Sequence, residues 1–342
     1  MNRQALYFTA PRQVEVRTEP LPAGRPGQVL VRSLLSAISP GTEMLIYRGQ
    51  APQNMAADAT LPDLAGSLAY PLKYGYSLVG DVIDAVGEEN RAWIGRRVFA
   101  FHPHESHFWT DPAQLQPLPV DLALEDAVFL PNMETAVNFL QDAAPLLGEQ
   151  AVVFGQGVVG LLTTALLART PLAQRLTLDR YPLRREMSLA WGADVSLDPA
   201  QPDVIERLAD TLHRYDPAGR ADVVFELSGA PAALQQAIDT TGFGGRVIIG
   251  SWYGRKPVAL NLGGAFHRSR IRLISSQVSS LSPELSGRWT KARRLQVAWD
   301  WLARLHPADL ITETIPLAQA PAAYQLLDQR PDRHLQIIFD YR

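Results

Sequence analysis

Apolar and polar residues alternate with period two through much of the first 120 positions. ALYFT, VEVRT and QVLVRSLLSAI read as short strands, as do YSLVGDVIDAVG and GRRVFAF further on. PLPAGRPGQ is a turn cluster between two of them, and residues 50–72 show no period and read as a long loop. Near residue 123 the period changes. ALEDAVFLPNMETAVNFLQDAAP carries apolar residues at helical spacing and ends at a proline. Strand and helix patterns then alternate: AVVFG with VVGLLTTALLAR, RLTLD with LRREMSLAWGA, ADVVFELSG with PAALQQAIDTTG, and finally GRVIIGSW. Such alternation predicts an α/β chain whose parallel strands are joined by crossover helices. KARRLQVAWDWLARLH, TETIPL, APAAYQLLDQR and HLQIIFDY follow as helix, strand, helix and strand. They are too few for a core of their own, so they are expected to complete the N-terminal β domain. The pattern divides the chain into a β domain of residues 1–122 and 279–342 and a doubly wound domain of residues 123–278.

One loop carries chemistry. Gly155, Gly157 and Gly160 in GQGVVG fit G-x-G-x-x-G between an apolar strand and a helix that starts with Val158 and Val159. In that setting the first glycine permits a tight turn. The second lets backbone amides approach a pyrophosphate, and the third lets the helix pack close to the strand. The helix N-terminus favours the negative charge. Asp179 closes the next strand pattern, where a carboxylate bonds the adenosine ribose hydroxyls and disfavours a 2′-phosphate. NAD is therefore the expected cofactor, with NADP open because Arg180 could meet a 2′-phosphate or stack on adenine. Ser228 and Gly229 are expected to line the adenosine side, and Gly250 and Ser251 to approach the nicotinamide.

Composition narrows the setting. A net charge of −3 gives no reason to expect nucleic acid or an anionic membrane as partner. The absence of cysteine excludes disulfides and thiolate metal sites. The opening MNRQALYFTAPRQVEV lacks a signal-peptide core, so a cytoplasmic location is expected. The uncharged run at residues 150–168 reads as strand, turn and helix rather than a membrane span.

The order SAISPGTEMLIYRG, YGYSLVGDVIDAVG, IGRRVFAF, GQGVVG, LDRYPLRREMSLAWGAD, ADVVFELSG and GGRVIIGSW resembles the medium-chain dehydrogenase/reductase superfamily across nearly the whole chain. The resemblance implies a GroES-like β domain, a Rossmann domain and a C-terminal return to the first. It also implies a dimer or tetramer joined at Rossmann sheet edges; here a homodimer is expected through the β-rich reading of PVALNLGGAFHRSRIRLISS. The zinc ligands of the alcohol dehydrogenases are missing: Pro40, Tyr76 and Pro131 or Asn132 align with them, so no metal is expected. SPGTE, PNMETAVN and LNLGGAFHRSRIRLISSQ are more similar to a subgroup that includes the 3-hydroxyethyl bacteriochlorophyllide a dehydrogenases, which oxidise a secondary alcohol with NAD.

Alcohol oxidation without zinc needs side chains for the proton and the developing oxyanion. Thr42 matches the superfamily hydroxyl that meets the substrate alcohol, with a strand-end threonine as the alternative; Glu43 beside it reads as structural. Tyr76 offers a phenol or packs in the core. Glu134 is a base in a partly buried place or a helix-surface acid. His102, His104 and His107 form H-x-H-x-x-H. They read chiefly as solvated loop residues, with His104 the candidate proton shuttle; on a strand, Glu105 would point away from His102 and His104. Three functions stay open for a small-molecule substrate: the NAD-dependent dehydrogenase, an NADPH-dependent quinone or enoyl reductase, and a non-catalytic dinucleotide-binding protein.

Overall fold

Alternation at the N-terminus produces the hairpin β1 (Asn2–Ala10) and β2 (Gln13–Pro20), followed by β3 (Val29–Ala37). SPGTEMLIY then forms a helix, α1 (Thr42–Tyr47), where no element was expected. Strands β4 (Leu78–Ala85), β5 (Arg97–Ala100), β6 (His107–Thr110) and β7 (Leu115–Pro117) follow. Their inward residues, with Val29 and Val31 of β3, bury Val82, Val98 and Phe108 in one core. The single helix expected from residue 123 is two, α2 (Leu124–Ala127) and α3 (Leu130–Ala143). Pro131 sits in the first turn of α3, where its missing N–H has no intrahelical partner to lose.

The next elements alternate strictly: β8 (Gln150–Phe154), α4 (Val158–Leu167), β9 (Gln174–Leu178), α5 (Pro182–Ala190), β10 (Val195–Leu197), α6 (Val204–Leu212), β11 (Ala221–Glu226), α7 (Pro231–Thr240) and β12 (Thr241–Ile249). After β13 (Arg272–Ser275) comes α8 (Lys291–Leu305). The six strands pair in parallel in the order β10-β9-β8-β11-β12-β13. Successive residues of β8 serve opposite faces, as the pleat requires. Val152 and Phe154 pack with Leu208, Leu234 and Ile238 on one face, while Ala151 and Val153 pack with Phe139 and Leu167 on the other. This is the doubly wound, Rossmann-type sheet. PVALNLGGAFHRSRIRLISS is less β-rich than its composition implies. Only Arg272–Ser275 is a strand, and Leu262–Phe266 is a helical turn.

The chain ends with β14 (Ile311–Pro316), α9 (Ala320–Gln329) and β15 (Gln336–Asp340). β15 pairs antiparallel with β3, so the C-terminal segment returns to the first sheet as expected. The computed structural model describes residues 1–57, 64 and 66–342; the expected loop at residues 50–72 lies partly outside the described residues. The described chain divides into a first unit of residues 1–131 and 299–342 and a second of residues 132–298. Both divisions fall later than the change of period places them, because α3 and α8 run across them. No helix among the described residues is long and apolar enough to cross a membrane.

Candidate active site

The three loop glycines differ in what a side chain would meet. Gly155 has φ 92°, and a Cβ there would lie 2.6 Å from the Cα of Ser228. At Gly160 a Cβ would lie 2.0 Å from the carbonyl oxygen of Gly155. Both glycines are required by the protein itself. Gly157 is different. It caps α4 with φ −69°, which any residue adopts, and a Cβ there would meet only Arg184 Nη1, at 3.9 Å. Neither backbone strain nor protein packing explains that glycine.

Asp179 is buried beside this loop. Its Oδ2 accepts from the Gln156 amide at 2.8 Å and its Oδ1 from the Tyr181 amide at 2.9 Å. Each oxygen keeps a further lone pair. Arg180 is exposed and lies against the Tyr181 ring. The arginine that reaches the loop is Arg184, on the first turn of α5, with Nη1 3.9 Å from Asp179 Oδ2. Sequence reasoning missed it; its place in the first turn of the helix that opens at Pro182, five residues after Asp179, was the available signal.

Ser228 and Gly229 follow β11, and Gly250 and Ser251 follow β12. The strand order puts both loops across β8 from Asp179. Ser228 and Gly229 stand with Ser251: the Gly229 amide donates to Ser251 Oγ at 2.8 Å. Gly250 is fixed by packing, since a Cβ there would lie 2.2 Å from the Phe139 ring.

The first unit holds a hydroxyl cluster. Thr42 opens α1 and is no strand-end residue. The Tyr76 hydroxyl donates to Ser39 Oγ at 2.5 Å and lies 3.4 Å from Thr42 Oγ1. Tyr76 and Thr42 are both half-buried, so the pair is neither packed in the core nor fully solvated. Behind them, Glu43 is completely buried. Its Oε1 accepts from the Ser39 amide at 2.8 Å, and its Oε2 takes the Tyr324 hydroxyl and lies 3.1 Å from His104 Nε2.

His104 is no solvated loop histidine. It is 0% exposed, with Nδ1 2.7 Å from Ser36 Oγ and its ring edge-on to Phe339. Strand β6 begins at His107, so the alternation that would turn Glu105 away from the histidines does not apply at residues 102–105. His102 Nε2 in fact lies 3.2 Å from Glu105 Oε2, and Arg3 and Lys73 pair with the same carboxylate. Burial by itself would raise the Glu105 pKa. The hydrogen bond and charge of His102, with the charge of Lys73, outweigh it and hold the carboxyl down at about 2. Through Arg3, these pairings tie β1 to the segment that carries Glu105.

Glu134 lies in α3 of the second unit, 2% exposed, with Oε1 2.9 Å from Arg294 Nη2. Burial pushes its pKa up, and Arg294 opposes the shift. Buried in this way, Glu134 is no helix-surface acid, and the Arg294 guanidinium clamps its carboxylate. Among the described residues no three His, Asp or Glu side chains converge to hold a metal ion.

The family model described as Zinc-binding dehydrogenase matches residues 159–296. The chain is similar to the D-guloside 3-dehydrogenase of Escherichia coli, with 24% identity over 97% of this chain and 98% of that protein. It is also similar to the 2-desacetyl-2-hydroxyethyl bacteriochlorophyllide A dehydrogenase of Cereibacter sphaeroides, with 27% identity over 100% of this chain and 99% of that protein. In fold it matches a short chain alcohol dehydrogenase from Escherichia coli, complexed with NADH, with a TM-score of 0.80 at 17% identity over 99% of each chain. The GroES-like sheet closed by the C-terminal return, the doubly wound sheet with its glycine loop, and these likenesses all agree with the resemblance of the chain to the medium-chain dehydrogenase/reductase superfamily.

Proposed function

We propose that the protein is an NAD-dependent dehydrogenase that transfers hydride between a secondary alcohol, or its ketone, and nicotinamide, without zinc. The observation that carries the cofactor half is Gly157, a glycine with ordinary φ and open space at its Cβ beside the amides of α4 and the Asp179 carboxylate. The residues present fit a dinucleotide. Gln156 to Val159 would hold the pyrophosphate, Asp179 the adenosine ribose, and the loops after β11 and β12 the other half. When bound, the nicotinamide supplies the hydride acceptor.

The substrate half rests on the Thr42 and Tyr76 hydroxyls, 3.4 Å apart. Two adjacent hydroxyls can grip one substrate oxygen, stabilise the charge it develops and exchange its proton. The zinc-free part rests on donor chemistry: a proline at position 40 offers no ligand atom, and the chain has no cysteine. A homodimer fits the same reading through β13, the last strand of its sheet, whose outer edge carries free ladder positions. It requires a solution mass of two chains.

One observation favours a second reading. Arg184, beside Asp179 and Gly157, has the charge to accept a 2′-phosphate, which an NADPH-dependent reductase would need. Fluorescence titration separates the two. NADH should bind about tenfold or more tighter than NADPH, and Asp179→Gly should remove that preference. A preference that survives the substitution sinks the assigned role of Asp179. Tyr76→Phe should lower kcat on a secondary-alcohol panel about ten- to a hundredfold while leaving the NADH Kd unchanged. Equal turnover by the variant removes Tyr76 from the site.

A further inference from the structure

At the ends of β11 and β12 the two loops are tied together by a fully buried carboxylate. Glu226 is 0% exposed. Its Oε1 accepts from the Ser228 amide at 2.8 Å, the Gly229 amide at 3.2 Å and the Ser228 hydroxyl at 2.5 Å. Its Oε2 accepts from the Tyr253 hydroxyl at 2.5 Å. Ser251 Oγ closes the arrangement by donating to the Glu226 carbonyl at 3.2 Å while accepting from the Gly229 amide. The Lys256 ammonium donates to the Gly229 carbonyl and lies 5.8 Å from the centre of the Tyr253 ring. Burial, and then the Glu226 charge, push the Tyr253 phenol well up, so it remains a donor to the carboxylate.

A buried carboxylate is costly unless its acceptors are filled. Here they are filled by groups from the loop after β11 and by a side chain from the loop after β12. Moving either loop breaks charge-assisted hydrogen bonds, so each fixes the other. Their place across β8 from Asp179 is the side on which the second half of a dinucleotide lies. We infer that Glu226 and Tyr253 are positioning residues for the nicotinamide half of the cofactor, holding the Ser228–Gly229 and Gly250–Ser251 loops in the arrangement that receives it. The inference rests on the cofactor reading above.

NADH and ADP-ribose separate positioning from general structural support, because ADP-ribose lacks the nicotinamide. In calorimetric titrations of the intact protein, Tyr253→Phe should weaken NADH about tenfold, the loss of one hydrogen bond to a buried charge, and leave ADP-ribose within about twofold. Ser251→Ala, which removes the nearer of the two acceptors of the Gly229 amide, should show the same split. Variants that lose both ligands equally, or neither, overturn the inference and leave the cofactor reading standing. A wild-type protein that fails to bind NADH overturns the cofactor reading itself, and this inference with it.

Discussion

Replacing Arg294 with alanine should destabilise the protein by about 3–5 kcal/mol, the cost of stranding a buried charge. Arg294 is 0% exposed, and its guanidinium is fully spent. Nε and Nη2 meet Glu134 Oε1 at 3.1 and 2.9 Å, and Nη1 meets Asn138 Oδ1 at 2.5 Å and the Ser280 carbonyl at 3.1 Å. Nη2 also donates to the Val278 carbonyl. One side chain of α8 thus holds α3 and the turn after β13, using a planar fork that lysine could not reproduce. Alanine leaves the buried Glu134 carboxylate without its guanidinium and the Ser280 and Val278 carbonyls without their donor.

The pH dependence has a definite sign. Burial already raises the Glu134 pKa, and Arg294 is the main group opposing it, so the variant raises it further. A carboxylate whose folded pKa lies above its unfolded value binds more protons folded than unfolded, so falling pH favours the fold. The penalty of Arg294→Ala should therefore be greatest near neutrality and shrink as pH falls through the raised pKa. Pairing it with Glu134→Leu should recover most of the loss at neutral pH, because an apolar pair leaves no charge to desolvate. Urea denaturation at two pH values checks both. A loss under about 1 kcal/mol, or one indifferent to pH, would mean that the ion pair is not what holds these elements.

What the sequence made legible follows from the range of the interactions. Periodicity is local, so β8, β9, β11 and β12 and the helices behind them could be read, as could β14, α9 and β15. The short β10 and the α6 helix gave no clear reading. VSL is only three residues, and VIERLADTL follows the turn-like DPAQPD. SPGTEMLIY gave no helical reading, yet α1 forms because Met44, Leu45, Ile46 and Tyr47 are all buried. The glycine loop and Asp179 were visible because their geometry is set by neighbours within one βαβ unit. Partnerships over long separations were not visible. The pairing of Glu134 with Arg294, 160 positions away, could not be read from the sequence. His104 looked like a loop residue until Ser36, Glu43 and Phe339 enclosed it. The error at Glu105 had a local cause: assuming a strand through residues 102–105 sent its side chain away from the histidine it in fact meets.

Gly157→Val should abolish measurable NADH binding, a loss of about a thousandfold or more, while leaving the fold intact. The two halves of that prediction come from one local geometry. The backbone at Gly157 has φ −69° and ψ −175°, which valine accepts without strain, and its Cβ would touch nothing nearer than Arg184 Nη1 at 3.9 Å. Thermal unfolding should therefore stay within about 0.5 kcal/mol of wild type, as for a substitution that meets no packed group. The branched side chain would occupy the approach to the α4 amides and deny a pyrophosphate its charge-assisted hydrogen bonds, worth about 4 kcal/mol at a thousandfold. Gly160→Ala is the control. Its Cβ would lie 2.0 Å from the Gly155 carbonyl oxygen, so it should lower both stability and binding. If Gly157→Val binds NADH like wild type, the loop is no cofactor cradle and the glycine needs another explanation. If it unfolds, the space beside Gly157 belongs to the protein rather than to a ligand. Only loss of binding on an intact fold is consistent with a glycine kept small for a group that the chain itself does not contain.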